Sequence, residues 1–309
     1  MVEQINRMPV KTWNWLKMNE ASIEVPDEVD SRDDIVIHAD GTGEKTSELP
    51  FVFEDQAKTG GKIEISVDSN INHIVLEDFK SNNGGFADVS TKINLASHAK
   101  LTLVQVHRLG DEFTFINRIE ADVADHAEFR LMQVFISGKG TYAGVNANLA
   151  GRRSAFHIDT GYLTNQDHVL DINYNAMHSG EKSMSDISVN GAMCDRSVKR
   201  FRGTIDFRQG AIGAKGNEIE NVLLLDDEVE NHTIPIILCV EEDVEGNHGA
   251  SIGRMDDDML YYMKSRGLDE EYIREMMKTA CIDAVLSRLP AELSEFAEKI
   301  RMEEATWNR

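Results

Sequence analysis

From residue 34 to residue 253 the chain consists of short segments in which apolar and polar residues alternate. Alternation with a period of two is typical of β-strands that bury one face, whereas the spacing that indicates helices is nearly absent here. Asn, Asp, Gly and Ser separate the segments, as expected of turns. Twelve strand-like segments follow one another: IVIHA, KIEISV, HIVLEDF, KLTLVQVHRL, FTFINRIEADV, EFRLMQVFI, FHIDTGYL, HVLDINYNAM, SDISVNG, KRFRGTIDF, NVLLLD and TIPIILCVEE.

So many short strands, without helices of about 10–15 residues between them, exclude the doubly wound and barrel α/β folds. A β-sandwich and a β-solenoid remain. The Asn-Gly and Asp-Gly turns that mark sandwich hairpins are few, and one of them, Asn190-Gly191, continues the alternation of a strand. Strand starts recur at roughly 12–18 residues, which favours a solenoid whose coils repeat without a strict motif. We therefore predict a mainly β protein built as a solenoid.

Helical periodicity begins after Gly253. A first short helix ends at Arg266-Gly267, because glycine is typical of the position after a helix. Asp269 begins a second helix with acidic residues in its first turn, and Pro290 separates it from a third. The apolar stripe of the second helix is predicted to comprise Ile273, Met277, Ala280 and Ala284.

These patterns divide the chain into three parts. Residues 1–33 form an N-terminal cap segment with an aromatic cluster at Trp13, Trp15 and Leu16. Residues 34–253 form the solenoid core, and residues 254–309 form a C-terminal helical module.

The composition, 41% apolar and 28% charged over 309 residues, is typical of globular proteins. No apolar run approaches the roughly 20 residues of a membrane-spanning helix, and the N-terminus lacks a secretory signal, so we expect a cytoplasmic protein. The 32 basic and 54 acidic residues give a net charge of −22. This charge disfavours nucleic acids and membrane surfaces as partners but allows cationic partners or metal ions. Three widely spaced cysteines argue against a disulfide framework.

Common catalytic motifs are missing from the sequence. Residues 41–46, GTGEKT, resemble the end of a phosphate-binding loop, but Glu44 separates the glycine from the lysine and the strand–loop–helix context is missing. Without GxGxxG, GxSxG or HExxH, hydride transfer, hydrolase-fold acyl transfer and zincin chemistry have no support. Most of the ten histidines are interpreted as strand-surface or satisfied core residues. Cys194 and Cys281 are interpreted as packed thiols without a ligand role.

One stretch, residues 238–249, concentrates side chains that can bind metals. Cys239 offers a thiolate and His248 an imidazole, while Glu241 and Glu242 offer carboxylates that could complete an iron site with a labile position. In an extended strand Cys239 and Glu241 would project to the same face and Glu242 to the other. On spacing alone, the stronger interpretation is a strand cysteine followed by a solvated acidic turn and an exposed histidine.

Six short motifs follow one another in the C-terminal third: Phe201–Gly203, Asn221–Leu225, His232–Pro235, His248–Gly253, Asp258–Tyr262 and Lys264–Leu268. In order and spacing they resemble the SufB/SufD family of iron-sulfur cluster assembly proteins. Thr12–Lys17 resembles the N-terminal signature of that family. Each motif is short, but the ordered combination is specific, and the resemblance extends more loosely over the β-rich middle.

The resemblance implies a right-handed parallel β-helix with helical ends that acts as a scaffold, not as an enzyme, and carries a transient iron-sulfur cluster. It also implies a SufC-type ABC ATPase docked on the C-terminal helical module, whose ATP-driven motion opens an interface between two β-helix subunits. Because the chain is short for the family, we expect a homodimer in place of the SufB–SufD heterodimer, with a SufB/SufD-type partner as the alternative.

Two family cysteines are absent. Gly246 stands two residues before the matching histidine, His248, and Val229 stands three residues before the His-Thr-x-Pro motif. Cys239 is the thiol close enough in sequence to replace them. The resemblance therefore leads us to expect that Cys239 and His248, helped by Glu241 or Glu242, hold the nascent cluster near the subunit interface.

Two other functions stay open at this point. The absent cysteines permit a SufD-like interaction subunit, which would bind the ATPase and a SufB partner but carry no cluster. A polysaccharide lyase on a β-helix is disfavoured, because an acidic chain without a concentrated set of Arg and Lys is poorly suited to binding anionic pectin.

Overall fold

The structure, a computed structural model, describes residues 1–12, 16–136 and 138–307. It is mainly β, with 56% of the residues in strands, and forms a parallel β-solenoid of about eight turns followed by three helices. The predicted solenoid is confirmed. The sandwich alternative is wrong, because neighbouring strands of the two large sheets run parallel and are not antiparallel hairpins.

Nineteen strands lie in the described part of the chain. They are β1 (Val2–Ile5), β2 (Ala21–Glu24), β3 (Asp30–Ser31), β4 (Ile35–Ala39), β5 (Thr46–Phe53), β6 (Ala57–Val67), β7 (Asn72–Ser81), β8 (Gly85–Leu95), β9 (Lys100–Arg108), β10 (Phe113–Val123), β11 (Glu128–Ile136), β12 (Gly140–Leu149), β13 (Ala155–Thr164), β14 (Val169–His178), β15 (Met184–Met193), β16 (Val198–Phe207), β17 (Ala214–Leu224), β18 (Glu230–Cys239) and β19 (Val244–Arg254).

Each coil contributes one strand to each of two facing sheets. Sheet one has the order β18-β16-β14-β12-β10-β8-β6-β3, with β4 also paired to β6, and sheet two has the order β19-β17-β15-β13-β11-β9-β7-β5. Registered residues of parallel strands point to the same side, so inward residues of successive coils form columns. Large apolar side chains fill most of these columns, and Phe79, His107 and Phe135 stack at centroid distances of 5.0 and 4.6 Å.

The N-terminal segment lies on the outer face of sheet one. Its hairpin β1–β2 contributes Ile5 and Ile23 to an apolar cluster with Phe86 and Ile116 of the solenoid.

The N-terminal segment also covers a buried ion pair between Arg202 and Asp171. Arg202 Nη1 lies 2.6 Å from Asp171 Oδ1, Arg202 Nε donates to the Met18 carbonyl, and Asn6 Nδ2 donates to Asp171 Oδ1. The predicted aromatic residues Trp13 and Trp15 lie outside the described residues.

Three helices form in the predicted region, but the second ends at Leu286, before Pro290, and a 3-10 turn precedes the third. They are α1 (Asp257–Ser265), α2 (Glu270–Leu286) and α3 (Ser294–Trp307), with a 3-10 turn at Ala291–Leu293. The Asp269 carboxylate accepts a hydrogen bond from the Tyr272 amide at 2.7 Å and thereby caps α2, while Gly267 has the left-handed φ of 89° after α1.

The helical module packs on the outer face of sheet two and not over the end of the solenoid. Ile282, Val285 and Leu286 of α2 and Ile300 of α3 are buried against outward residues of β7, β9 and β11, such as Val104, Val106, Met132 and Val134. Of the predicted stripe on α2, Ile273 is buried, Met277 and Ala284 are half-buried and Ala280 is exposed; the other buried residues of α2 are Ile282, Val285 and Leu286. None of the described helices combines the length and the apolarity needed to cross a membrane.

Candidate functional site at the open end of the solenoid

The last coil leaves an open end on both sheets. Within the described residues, β18 pairs with β16 and β19 pairs with β17, and neither strand has a partner on its other side. Almost all of β19 is exposed, in contrast to the strands of the middle coils. The backbone groups of two strand edges are therefore free to pair with another chain.

Cys239 and His248 lie on this last coil, on two different sheets. Cys239 is the last residue of β18 and is in register with the buried Phe207, whereas His248 lies in β19 in register with the buried Glu218. Both side chains are thus on the inward faces of their strands, yet both are exposed because no further coil covers them. His248 lies four residues beyond the start of β19, roughly 13 Å along the strand at ~3.3 Å per residue.

Glu241 and Glu242 lie in the turn between these two strands. Because β18 ends at Cys239, the alternation assumed for Cys239 and Glu241 does not reach the glutamate, and the chain instead turns toward the other sheet. The Glu241 carboxylate accepts hydrogen bonds from the amides of Gly210 at 3.1 Å and of Glu242 at 3.0 Å. The Gly210 amide, followed by the Glu242 amide, lowers the pKa of Glu241.

The four predicted ligands do not form a preformed metal site in one chain. No group of three or more His, Cys, Asp or Glu side chains that could hold a metal ion occurs among the described residues. Cys239 and His248 are exposed at the open end, Glu241 is bound to the preceding turn, and Glu242 is exposed. A cluster held here would need ligands in addition to these side chains.

Three charged side chains one coil inside the open end and one hydroxyl of the last coil form a group that we name the open-end polar layer: Lys199, Glu218, Glu220 and Thr233. Lys199 is fully buried and donates to Glu220 and to Thr233 Oγ1, and Thr233 donates to Glu220 Oε2 at 2.6 Å. Burial lowers the pKa of Lys199, although the Glu220 charge opposes this shift. These three side chains form a closed triangle of hydrogen bonds.

Glu218 is the second carboxyl group of the layer. It is 2% exposed and makes no hydrogen bond or ion pair with any described residue. Burial, and then the neighbouring Glu220 charge, raise the pKa of Glu218 to about 8, while Lys199 acts in the opposite direction. A protonated carboxyl group at neutral pH is the expected result, because the layer contains one buried cation for two buried acids.

This layer was not recognised from the sequence, although a signal for it exists. Glu218 and Glu220 occupy inward positions of β17, between the inward residues Gly216 and Val222. Acidic residues at two successive core positions of a strand are unusual, because ionised carboxylates are rarely buried without partners. The inward side could be known only once the register was known.

The other residues singled out from the sequence are two cysteines, the GTGEKT segment and the core histidines. Burial raises the pKa of the Cys194 thiol to about 11 and also raises that of the half-buried Cys281, which shares a small apolar cluster with Cys194. GTGEKT lies between β4 and β5 with no helix after it, as the sequence indicated.

Two buried histidines differ in their hydrogen bonding. His178 is a satisfied core histidine whose ring nitrogens contact Ser183 and Ser185 at 2.8 and 2.9 Å. His107 is not satisfied: neither ring nitrogen has a described partner, and burial lowers its pKa to about 3.

Comparisons with known proteins agree with this architecture. Residues 52–281 match the family described as SUF system FeS cluster assembly, SufBD core domain. The chain is 30% identical over 155 residues to the iron-sulfur cluster assembly protein SufD of Bacillus subtilis (strain 168), which covers 50% of this chain and 32% of that protein. It is 25% identical over 208 residues to SufD of Escherichia coli (strain K12), covering 66% of this chain and 48% of that protein.

SufB of Bacillus subtilis (strain 168) is also similar, at 21% identity over 224 residues that cover 72% of this chain and 45% of that protein. The match to this chain thus spans between a third and a half of the length of these three relatives. Fold and open-ended site define a parallel β-solenoid protein of the SufBD core type. The chain belongs to the SufB/SufD family, which supports a role in iron-sulfur cluster assembly within the SUF system.

Proposed function

We propose that this chain is a scaffold subunit, not itself an enzyme, on which an iron-sulfur cluster is assembled in the cytoplasm together with a SufC-type ABC ATPase. The observation that carries the proposal is the open last coil, which brings exposed Cys239 and His248 to two unpaired strand edges. Thiolate and imidazole from two chains provide ligands of the kind that iron-sulfur clusters use.

The second chain is a further copy of this one in our proposal. A two-fold contact is isologous, so two copies that meet at their open ends cover both strand edges at once and present every ligand twice. The exposed Ile252, on the inward side of β19, would be buried in such a contact. Pairing stops after one addition, since the last coil of each copy is used, whereas head-to-tail addition would continue into a fibre.

The dimer is tested with Ile252→Lys, which places two buried charges in the contact. Sedimentation velocity of the wild type at micromolar concentration should give twice the chain mass of 34.7 kDa, and the variant should give a monomer. Val52→Lys, at an exposed position of β5 near the other end, is the matched control and should stay dimeric. A wild type that sediments as a monomer, with and without its ATPase, would exclude the homodimer.

Docking of the ATPase on the helical module is supported by an exposed face of α1. This helix buries none of its residues and exposes Met259, Tyr261 and Tyr262, with acidic residues in its first turn. Exposed aromatic residues beside charges are typical of protein interfaces. Tyr261→Ala with Tyr262→Ala should reduce co-purification of the ATPase, whereas Met302→Ala, at an exposed position of α3, should not. If the wild type and the Tyr261→Ala, Tyr262→Ala variant recover equal amounts of ATPase, docking on α1 is contradicted.

The cluster is tested by anaerobic reconstitution of the full chain with iron and sulfide, followed by metal and sulfide analysis and Mössbauer spectra. Cys239→Ser and His248→Ala should each lower the cluster content, since each removes a ligand from both copies of the dimer. Cys281→Ser, in α2, is the matched thiol control and should keep wild-type content. Wild-type content in both folded ligand variants would remove the proposed site.

A second function is favoured by one observation. Because the described residues include no group of three potential metal ligands, the chain could act as a SufD-like subunit that binds the ATPase and a SufB-type partner without a cluster of its own. This function predicts that the purified chain takes up no sulfide and that a SufB-type chain replaces the second copy at the open end.

A further inference from the structure

Glu218 is a buried carboxyl group that the fold does not explain. Buried carboxyl groups are normally paired, and Glu220, two residues away, follows this rule through Lys199 and Thr233. Glu218 is as buried as Glu220, but no described residue donates a hydrogen bond to it. Core packing alone would be better served by an apolar side chain, as in the preceding coil, where the registered residue is Ile187.

The opposite sheet provides room for this carboxyl group. A Cβ atom on Gly203 of β16 would lie 1.9 Å from Glu218 Oε2. No residue other than glycine fits at position 203 unless the carboxyl group moves. The space for Glu218 is therefore part of the fold, because glycine in a strand interior often marks the close approach of another group.

A second metal-ligating side chain lies next to Glu218. His248 is its registered neighbour on β19, on the same inward face, at the ~4.8 Å spacing of adjacent strands. No described residue forms a hydrogen bond or ion pair with His248. The buried Glu218 carboxyl group and the exposed His248 imidazole thus lie side by side without protein hydrogen-bond partners.

We propose that Glu218 and His248 together bind a divalent first-row transition metal ion one coil inside the open end, with water or the second copy filling the other positions. A carboxylate and an imidazole suit Fe²⁺ and Mn²⁺. Two ligands per chain agree with the absence of any three-ligand group in the described residues. Glu220 stays with Lys199 and Thr233 and is not a ligand. The inference deepens the proposed function and rests on it in one respect: the physiological ion is iron that enters the cluster.

The test uses the full-length protein and Fe²⁺ alone, without sulfide, in anaerobic equilibrium titrations, with Mn²⁺ and its EPR signal as a second probe. Glu218→Gln keeps the size of the side chain and should weaken binding about tenfold or more, as should His248→Ala. Glu120→Gln, at an exposed position of β10, is the matched carboxylate control and should bind like the wild type. Gly203→Ala should also weaken binding, because its methyl group displaces the Glu218 carboxylate.

Far-ultraviolet circular dichroism establishes that each variant is folded, and Glu218→Asp provides a second probe that keeps the carboxyl group but shortens its reach. Unchanged Fe²⁺ affinity in folded Glu218→Gln overturns the metal site, as does wild-type protein that binds neither ion. These results leave the proposed function standing if Cys239→Ser still lowers cluster content. Conversely, Fe²⁺ binding that depends on Glu218 in a protein that never accumulates sulfide would retain the metal site and remove the cluster scaffold.

Discussion

The interior of the middle coils and the interior of the open end use polar residues in different ways. In the middle, Gln105 donates to Glu77 and accepts from Asn117 and Gln133, and Gln133 in turn accepts from the Tyr174 hydroxyl at 2.6 Å. Near the open end the same column reaches Glu220, which is paired with Lys199 of the facing sheet, and the neighbouring inward column reaches Glu218. Amides and one carboxyl group, Glu77, occupy the middle coils, whereas a buried ion pair occupies the coil next to the open end.

Both arrangements follow from the cost of desolvation. A middle coil is covered by a coil on each side, so a charge there would pay its full desolvation cost, and neutral polar groups that bond to one another are tolerated. Glu77 obeys this rule because burial raises its pKa to about 7, even though the hydrogen bond from Gln105 acts against the shift. Lys199 and Glu220, one coil inside the open end, are as buried as the middle coils, and the two charges are tolerated because they pair with each other and with Thr233.

The two regions should differ most in the unfolding free energy that is lost when a side chain of the same inward column is truncated in a middle coil or in the last coil. Phe135 and Ile252 belong to the same inward column, but Phe135 is buried and Ile252 is half exposed. At protein concentrations low enough for the chain to be monomeric, Phe135→Ala should lower the free energy of unfolding by about 3–5 kcal/mol through cavity formation, whereas Ile252→Ala should cost less than about 1 kcal/mol. Urea denaturation of the two variants measures both. Equal losses would show that the last coil is packed as tightly as the middle.

Removing the buried cation at the open end should be the next largest effect. Lys199→Met leaves Glu220 buried with Thr233 as its remaining donor, and a loss of about 3 kcal/mol in unfolding free energy is expected. The double variant Lys199→Met, Glu220→Gln should recover much of this loss, because no unpaired charge then remains. The same urea denaturation decides the matter, and a double variant less stable than Lys199→Met would contradict the explanation.

The pH dependence of the unfolding free energy should reveal the raised pKa of Glu77, which lies in the interior of the middle coils. Its pKa in the folded state, about 7, lies above the ordinary value of 4.5, so folding favours the protonated form. The stabilisation is complete below pH 4.5 and is lost as the pH rises through 7, amounting to a few kcal/mol at most. Glu77→Gln should remove this part of the pH dependence and Glu120→Gln should not. Identical stability profiles for wild type and Glu77→Gln between pH 4.5 and 8 would be evidence against a raised pKa.

Much of the fold was readable from local patterns. Strands with large apolar residues at alternate positions, such as β9 and β11, were predicted from the sequence, as were the three helices, because caps and periodicity are local properties. The alternation did not predict β1, β2, β3, β5 and β19, nor did it predict the two long strands β8 and β12. Their inward positions include Ala87, Thr91, Ala143 and Ala147, whose small or polar side chains give little contrast with the outward residues.

The candidate site was only partly readable. Cys239 and His248 were found because thiols and imidazoles are recognisable wherever they stand, and the structure places both on the last coil. The charged layer beneath them was not found. Glu218, Glu220 and Lys199 look like ordinary surface residues until the strand register turns them inward.

The sequence by itself determined that the chain forms a solenoid of short strands followed by helices, since these are matters of alternation and capping along neighbouring residues. Only the tertiary structure decided which strands end the two sheets and that the helices pack on the outer face of sheet two, where Ile282 and Val285 are buried. The open end and the unpaired Glu218 depend on these decisions. The physical reason is that an edge or a buried charge is defined by what lies beside it in space, and successive coils are brought together by pairing between residues about 30 positions apart.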